Sequence, residues 1–457
     1  MTVTTAAPRT LAIVPRRVTV IGCGYLGAVH AAAMAVIGHD VLGFDVDESK
    51  IATLARGETP FYEPGLDELL AEALATGRLR FTTSYAETAD FGDVHFLCVG
   101  TPQKPGSNAA DLTYVHGAMD TLAPLLTRSC LIVGKSTVPV GTAELLRDRL
   151  VERAPAGDGV RLVWNPEFLR EGFAVRDTLS PDRLVVGVDD PADADELAEL
   201  YSPVLALGMP WVVVDLATAQ LVKNAANAFL ATKISFINAM AELCEETGAD
   251  VVALADAIGH DARIGRRFLQ AGLGFGGGCL PKDLRGFMAR AEELGVQQAL
   301  EFLRDVDAIN LRRRQRAIDD ATTILGGSVA GKRIAVLGAA FKPDSDDIRD
   351  SPALDVAASL HALGADVVVH DPKALPNARI KRPELTCSDD ILDTLRGADI
   401  VLHLTEWSDY RSLDPVHVGT LVAHKRMLDG RNALDSKAWV AAGWDFHALG
   451  RPNAGRA

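Results

Sequence analysis

No stretch of the 457-residue sequence approaches the ~18 consecutive apolar residues that a membrane-spanning helix needs, so no membrane partner is expected. The opening "MTVTTAAPRTLAIVPRR" lacks a long apolar core and ends in two arginines. Residues 1–15 therefore read as a disordered leader rather than a secretory signal. Positive charge is short as well: 46 Lys and Arg against 61 Asp and Glu leave a formal net charge of −15. That balance argues against nonspecific affinity for nucleic acid or anionic membrane, while still allowing an anionic ligand wherever cations gather locally. Cysteine is sparse. The six, at positions 23, 98, 130, 244, 279 and 387, show no metal-ligand spacing, so no metal is expected, and the pattern suits a reducing cytoplasm. Cys98 and Cys130 lie in the strand-like runs "VHFLCVG" and "SCLIVG" and are expected to be buried and inert.

What is present is the composition of an ordinary globular protein, 48% hydrophobic and 23% charged, in a chain too long for one core. From Val18 short β-branched runs alternate with helical patterns, the mark of a parallel α/β sheet. The strand candidates are "RVTVIG", "DVLGFD", "RLRFTTS", "VHFLCVG", "CLIVGKS", "RLVWNPE", "RLVVGVD" and "WVVVDL". Leu216 to Thr247 then reads as one long alanine-rich helix, free of proline and stopped by Gly248, with further helices to about Leu325. After the turn-rich "GGSVAGKR" a second βα pattern begins at "KRIAVLGAAF". The expected fold is two Rossmann-like doubly wound domains, 16–214 and 328–450, joined by an all-helical middle domain, 215–327, and closed by a tail, 451–457.

"VTVIGCGYLG" sets Gly22, Gly24 and Gly27 in G-x-G-x-x-G register between a strand and a helix headed by Tyr25 and Leu26. Such glycines permit a tight turn and bring backbone N–H groups close to a pyrophosphate at the helix N-terminus. The next strand ends in Asp45, whose carboxylate suits ribose hydroxyls and would repel a 2′-phosphate, so NAD is favoured over NADP. Lys50, one turn on, could reach the same phosphates. The second α/β half has Gly338 in "LGAAFKPDSDD" but no such fingerprint, so a second NAD is not expected there. It does carry Lys342, Arg349 and Arg431 at strand ends, where they suit a phosphorylated ligand or are simply solvated surface charges.

Three segments offer chemistry. "VWNPEFLREG" reads as a short helix with Asn165 at the N-cap and Pro166 at N1, which would set Glu167 and Glu171 on one face. Two close carboxylates raise the proton affinity of one and make it a usable base; the alternative is a solvent-facing acidic turn. On the long helix Lys223 and Asn227 are also four apart, suiting an oxyanion, or else an exposed helix surface. Finally "GFGGGCLPKDLRGF" sets Cys279 in a glycine loop beside Lys282 and Asp283. A thiol with a neighbouring cation and base suits covalent catalysis on a carbonyl carbon, and beside an NAD site it suggests oxidation through a thioester.

The motifs "GCGYLG", "KSTVPVGT", "NPEFLREG", "LVKNAANAF", "DARIG", "GFGGGCLPKD" and "FKPDSDDIRDSP" occur in the order found in the UDP-glucose/GDP-mannose dehydrogenase family, which the chain resembles from about Val18 to about Leu449. The wording "NPEFLREG" resembles the branch acting on UDP-glucose more than those acting on GDP-mannose or N-acetylmannosamine sugars. The resemblance implies a four-electron, NAD-dependent oxidation of UDP-glucose to UDP-glucuronate. Alternatives are the same chemistry on another nucleotide sugar, or a non-catalytic nucleotide-binding protein. It implies Cys279 as the nucleophile that forms a thiohemiacetal and then a thioester, and Glu167 as base for the hydrolytic water. Lys223 and Asn227 would stabilise the oxyanion, and Asp283 with Thr137 would position the water. Glu171, Lys282, Arg349 and Thr101 would lie near the cofactor. Phe168, Leu169 and Arg170, the loop from Phe268 to Phe275 with Gly276, Lys342 and Arg431 would hold the UDP-sugar. Arg263 would reach across an interface formed by the middle helices of two subunits, so a homodimer or dimer-based oligomer is expected. Gly278 and Leu280 depart from the serine and phenylalanine common in the family.

Overall fold

The protein is described by a computed structural model covering residues 3–4 and 13–452. By its internal contacts the chain divides into two units, Met1–Ala226 with Arg285–Glu293, and Asn227–Leu284 with Leu294–Ala457.

The first unit is built on nine strands: β1 (Val3–Thr4), β2 (Arg17–Ile21), β3 (Asp40–Phe44), β4 (Leu79–Thr82), β5 (Val94–Leu97), β6 (Cys130–Gly134), β7 (Val160–Trp164), β8 (Leu184–Gly187) and β9 (Trp211–Val214). All eight strand candidates of the first half are present. Their order is β1-β9-β8-β7-β6-β5-β2-β3-β4. From β4 to β7 the sheet is parallel and doubly wound, with the topological switch between β2 and β5. Central strands such as β5 and β6 are buried along their whole length, as near-continuous apolar runs require when helices cover both faces. Two features depart from the expected purely parallel sheet. β8 runs antiparallel to β7, and β1 adds antiparallel to β9, so part of the segment expected to be a disordered leader is a strand. The remainder of that leader to residue 12, and tail residues 453–457, lie outside the described residues.

The second unit holds β10 (Arg333–Leu337), β11 (Asp366–His370), β12 (Thr386–Cys387), β13 (Ile400–His403), β14 (Arg426–Asp429) and β15 (Asp445–Ala448), all parallel in the order β12-β11-β10-β13-β14-β15. This is the same winding as β4-β3-β2-β5-β6-β7. The two halves even share an aspartate just past the second strand. In the second half that residue, Asp371, is buried and already accepts the N–H groups of Ala339, Ala340, Lys373 and Ala374 and the Trp407 indole. Its lone pairs hold the turn itself, which gives a physical reason for the lost fingerprint.

The long helix is Leu216–Thr247, 32 residues, and Gly248 follows it at φ +75, a left-handed stop that glycine takes without strain. Among the described residues no helix is long and apolar enough to cross a membrane, and no group of His, Cys, Asp and Glu could hold a metal ion.

Candidate active site

At the C-terminal end of β2 the chain turns through Gly22, at φ +94, whose N–H donates to the Phe44 carbonyl at 2.8 Å. A Cβ on Gly27 would sit 1.7 Å from the Gly22 carbonyl oxygen, so the helix can pack this close only without a side chain. A Cβ on Gly24 would meet nothing within 4 Å, which leaves open space above the turn. The helix Tyr25–Val36 begins there with no side-chain cap and no acid in its first turn, so its dipole favours an anion at this end. Asp45 is fixed beside them: Oδ2 accepts the Cys23 N–H at 2.9 Å and Oδ1 the Asp47 N–H at 3.1 Å. Lys50 sets its ammonium 2.9 Å from Asp45 Oδ2, since the helix Glu48–Ala55 brings the two charges side by side. Thr101 is buried and donates to the Thr137 carbonyl at 2.8 Å, tying together the segments that leave β5 and β6. An uncapped helix start, an open glycine and a ribose-side carboxylate fit a dinucleotide.

The "NPEFLREG" segment is not a helix. Residues 165–170 have no regular secondary structure, and the next helix is Ala174–Leu179. Asn165 is no N-cap: it is fully buried, its Nδ2 donating to the Val185 carbonyl at 2.8 Å and its Oδ1 accepting from Lys135 at 2.9 Å. Without a helix the expected common face of Glu167 and Glu171 is lost. Glu167 pairs instead with Lys223, Nζ to Oε1 at 3.0 Å, and its Oε2 accepts the Leu169 N–H at 2.8 Å. Lys223 is 4% exposed, so the exposed-surface alternative does not apply to it. The Phe168 ring lies between two cations, with the Arg183 guanidinium 3.9 Å and the Lys223 ammonium 5.6 Å from its centroid. Arg170 is held by Asp177 at 2.6 Å, and Glu171 is buried.

In the second unit Cys279 is the one exposed cysteine of the six. The Asp283 N–H donates to its carbonyl at 2.8 Å, so Cys279 opens the helix Leu280–Glu293, where the helix dipole favours negative charge. One turn on, the buried Asp283 carboxylate accepts from the Asn227 amide at 2.7 Å and from the Lys282 ammonium at 2.5 Å. Asn227 is also buried. The glycine loop is packed rather than loose. A Cβ on Gly278 would lie 2.2 Å from the Arg349 guanidinium carbon, and the Gly278 N–H points to Asp347 Oδ2 at 3.3 Å. The same Asp347 carboxylate holds Arg349, Nη2 to Oδ2 at 2.7 Å.

Phe275 exchanges both backbone hydrogen bonds with the Asn310 side chain, and neighbouring Gly276 is buried with it. Phe268 stands at φ +64, a conformation that costs a non-glycine residue about 1–3 kcal/mol and clusters at ligand sites. Lys342 lies 5.4 Å from the Phe341 ring centroid. Arg431 is engaged by the carbonyls of Leu404, Gly274 and Phe341 at 2.7, 2.9 and 3.1 Å, clamping backbone at this edge of the sheet. Arg263 is exposed and pairs with Asp261 at 2.6 Å.

Three family models match in succession: the NAD binding domain of the UDP-glucose/GDP-mannose dehydrogenase family over residues 16–205, its central domain over 217–312 and its UDP binding domain over 335–436. The chain belongs to the UDP-glucose/GDP-mannose dehydrogenase family. It is an NAD-dependent nucleotide-sugar dehydrogenase. A UDP-glucose 6-dehydrogenase of Rhizobium meliloti (strain 1021) is 40% identical over 439 residues, spanning 96% of this chain and 100% of the relative. Among solved structures, a UDP-glucose dehydrogenase from the hyperthermophilic archaeon Pyrobaculum islandicum is 37% identical with a TM-score of 0.88, covering 98% of this chain and 100% of that one. A UDP-D-ManNAc dehydrogenase from Pyrococcus horikoshii is 27% identical with a TM-score of 0.82, covering 96% and 100%.

Several residues of the dehydrogenase escaped the sequence reading. Arg183 on the Phe168 ring and Glu63, which accepts the N–H groups of Gly172 and Ala174 at 2.7 Å each, act from other segments and left no local pattern, while Asp347, which holds Arg349 two residues on, lay inside a quoted motif without being singled out. The start of a helix at Cys279 did have a signal: Pro281 and Asp283 in "CLPKD" are first-turn residues.

Proposed function

We propose that the dehydrogenase oxidises the C6 alcohol of UDP-glucose to the carboxylate of UDP-glucuronate through a covalent intermediate on Cys279. The observation that carries the reading is Cys279 itself, an exposed thiol at the N-terminus of a helix, one turn before an aspartate held between an amide and an ammonium. NAD, when bound, takes up a hydride in each of two oxidations. The Cys279 sulfur adds to the carbonyl carbon of the intermediate aldehyde, forming an S–C bond, and the resulting thiohemiacetal becomes a thioester when oxidised. Lys223 and Asn227 donate to the oxygen that carries negative charge. Glu167 takes a proton from the water that displaces the sulfur, and Asp283 with Thr137 orients that water. The balance per sugar is one water consumed, two NAD reduced and three protons released. Gly22, Gly24, Gly27 and Asp45 hold NAD, with Thr101, Glu171, Lys282 and Arg349 nearer its reactive end. Phe168 to Arg170, Phe268 to Gly276, Lys342 and Arg431 form the UDP-sugar site.

UDP-glucose is favoured over other sugars by the relatives near 40% identity that are named for it. A hydrophobic or small pocket separates related ligands by only about 1–3 kcal/mol. Competition among UDP-glucose, UDP-N-acetylglucosamine and GDP-mannose, with NADH counted against acid formed, therefore tests the choice. About two NADH per UDP-glucose supports the reading; a preference for another sugar transfers the chemistry to it, and no NADH with any of them ends it. The long helix exposes Phe229, Phe236 and Leu243 at seven-residue spacing, and this stripe supports a dimer built on it.

A further inference from the structure

The irregular segment that carries Glu167 is anchored by a second buried lysine. Lys135 follows β6 and is 5% exposed. Its Nζ donates to Asn165 Oδ1 at 2.9 Å and lies 3.3 Å from the Tyr201 hydroxyl, which itself donates to the same Asn165 oxygen at 3.0 Å. The rings of Phe96 and Tyr201 flank the ammonium, each centroid 5.8 Å away. Among the described residues no carboxylate lies within ion-pair distance of it. A buried ammonium with neutral hydrogen-bond partners alone is costly to keep, and burial pushes Lys135 down to about 8.

Lys135 and Glu167 line one cavity of about 50 Å³, together with His30, Phe168, Arg183 and Tyr201. At roughly 15 Å³ per water centre it has room for about three waters. The groups facing the lysine contribute little competing charge near neutrality. Burial holds His30, on the first helix, well below the usual histidine range, so its ring is neutral there, and its Nε2 has no hydrogen-bond partner among the described residues. Burial also pushes the Cys98 thiol, just past β5, up to about 12, and holds the Tyr201 phenol well above the usual tyrosine range. At the cavity wall Asp177 is paired with Arg170, while Asp182 and Arg183 are neighbours of opposite sign. Glu167 is thus the anion that Lys135 acts on, and it is one of the charges that favours the protonated lysine.

We propose that Lys135 is a positioning residue for Glu167: it fixes the backbone of this irregular segment through Asn165 and, across the shared cavity, favours the carboxylate over the acid. Lys223 holds the same carboxylate directly, so Lys135 is a second, non-contacting cation for one base. Its role in the reaction rests on Glu167 being the hydrolytic base of the proposed function; its electrostatic role does not. Removing a nearby positive charge disfavours the ionised form, so the acid limb of a base-dependent rate moves to higher pH.

The test is Lys135→Gln, which keeps a donor for Asn165 and removes the charge, beside Lys135→Arg, which keeps the charge. Selective δ-carbon labelling of glutamate, with Glu167→Gln identifying the resonance, reads the titration of Glu167 without activity. The expected result is a midpoint about one pH unit higher in K135Q and close to wild type in K135R. The acid limb of kcat rises by the same amount and the KM for NAD is unmoved. If K135Q does not fold, Asn165→Asp, which adds a negative charge beside the lysine, is expected to raise the midpoint in the same direction. An unshifted midpoint overturns the proposal whatever the activity. A shifted midpoint in an enzyme that oxidises no nucleotide sugar supports the electrostatic role and overturns the functional reading instead.

Discussion

Lys223 Nζ lies 3.0 Å from Glu167 Oε1, with the two side chains 5% and 12% exposed. A pair so shielded is worth little against a well-packed apolar substitute, but removing one member strands a buried charge. Lys223→Ala is therefore expected to lose about 3–5 kcal/mol of stability, read from urea unfolding, beyond any loss of turnover. The double variant with Glu167→Gln should recover a large part of that stability. Losses of the two single variants that simply add in the double variant would show that the pair is not coupled.

Cys279→Ser should leave the fold intact and reduce acid formation by about 10³-fold or more, because an alcohol is a far weaker nucleophile and leaving group than a thiolate. Rapid thiol labelling should modify Cys279 ahead of the other five cysteines and slow when a nucleotide sugar is bound. Acid formation at full rate in the serine variant would remove the thiol from the mechanism.

A side chain at 278 would meet the Arg349 guanidinium carbon at 2.2 Å, and that group is the far end of a flexible side chain. Gly278→Ser, which restores the residue common in the family, should cost less than about 1 kcal/mol, because Arg349 can yield. Arg349 should then leave the Asp347 carboxylate and the KM for NAD should rise several-fold, with the KM for the sugar little changed. An unchanged KM for NAD would separate Arg349 from cofactor binding.

His95 is fully buried, bonded to the Thr19 hydroxyl at 2.7 Å, and burial lowers it from 6.5 to about 4. In the unfolded chain it takes a proton near 6.5, whereas in the folded chain it resists to about 4. Its contribution is therefore present above about pH 6.5 and lost progressively as pH falls toward 4, up to about 3 kcal/mol. His95→Gln should flatten that part of the urea-midpoint profile. A profile as steep as wild type would assign the acid sensitivity to other groups, such as His30.

Phe236 is 49% exposed in the middle of the stripe formed with Phe229 and Leu243. Phe236→Asp should leave a folded single chain but shift sedimentation toward monomer, since a carboxylate would be desolvated in a helix–helix interface. A wild-type protein that sediments as monomer at assay concentration would remove this role from the stripe.

Much of the fold was legible because burial on both faces of a parallel sheet demands continuous β-branched runs, and those runs name their own strands, from "VHFLCVG" to "KRIAVLGAAF". The long helix was legible down to its ends, since Gly248 is a local stop. "NPEFLREG" misled because its capping residues were judged locally, while Asn165 was claimed by Lys135, Tyr201 and Val185, partners from three other segments. The reversed β8 was hidden for a related reason: strand direction depends on pairing partners and not on the strand's own residues.

The chemical inventory, then, was already written in the chain: three spaced glycines before a helix, an aspartate after the next strand, and a thiol in a glycine loop beside a lysine and an aspartate. These are local features, set by backbone freedom and side-chain type over a few residues. Charge pairing was decided only in three dimensions. Whether Glu167 answers to Glu171 or to Lys223, and whether Asp371 is free or spent on its own turn, depend on which groups folding brings within about 3 Å, where desolvation makes each choice of partner costly to reverse.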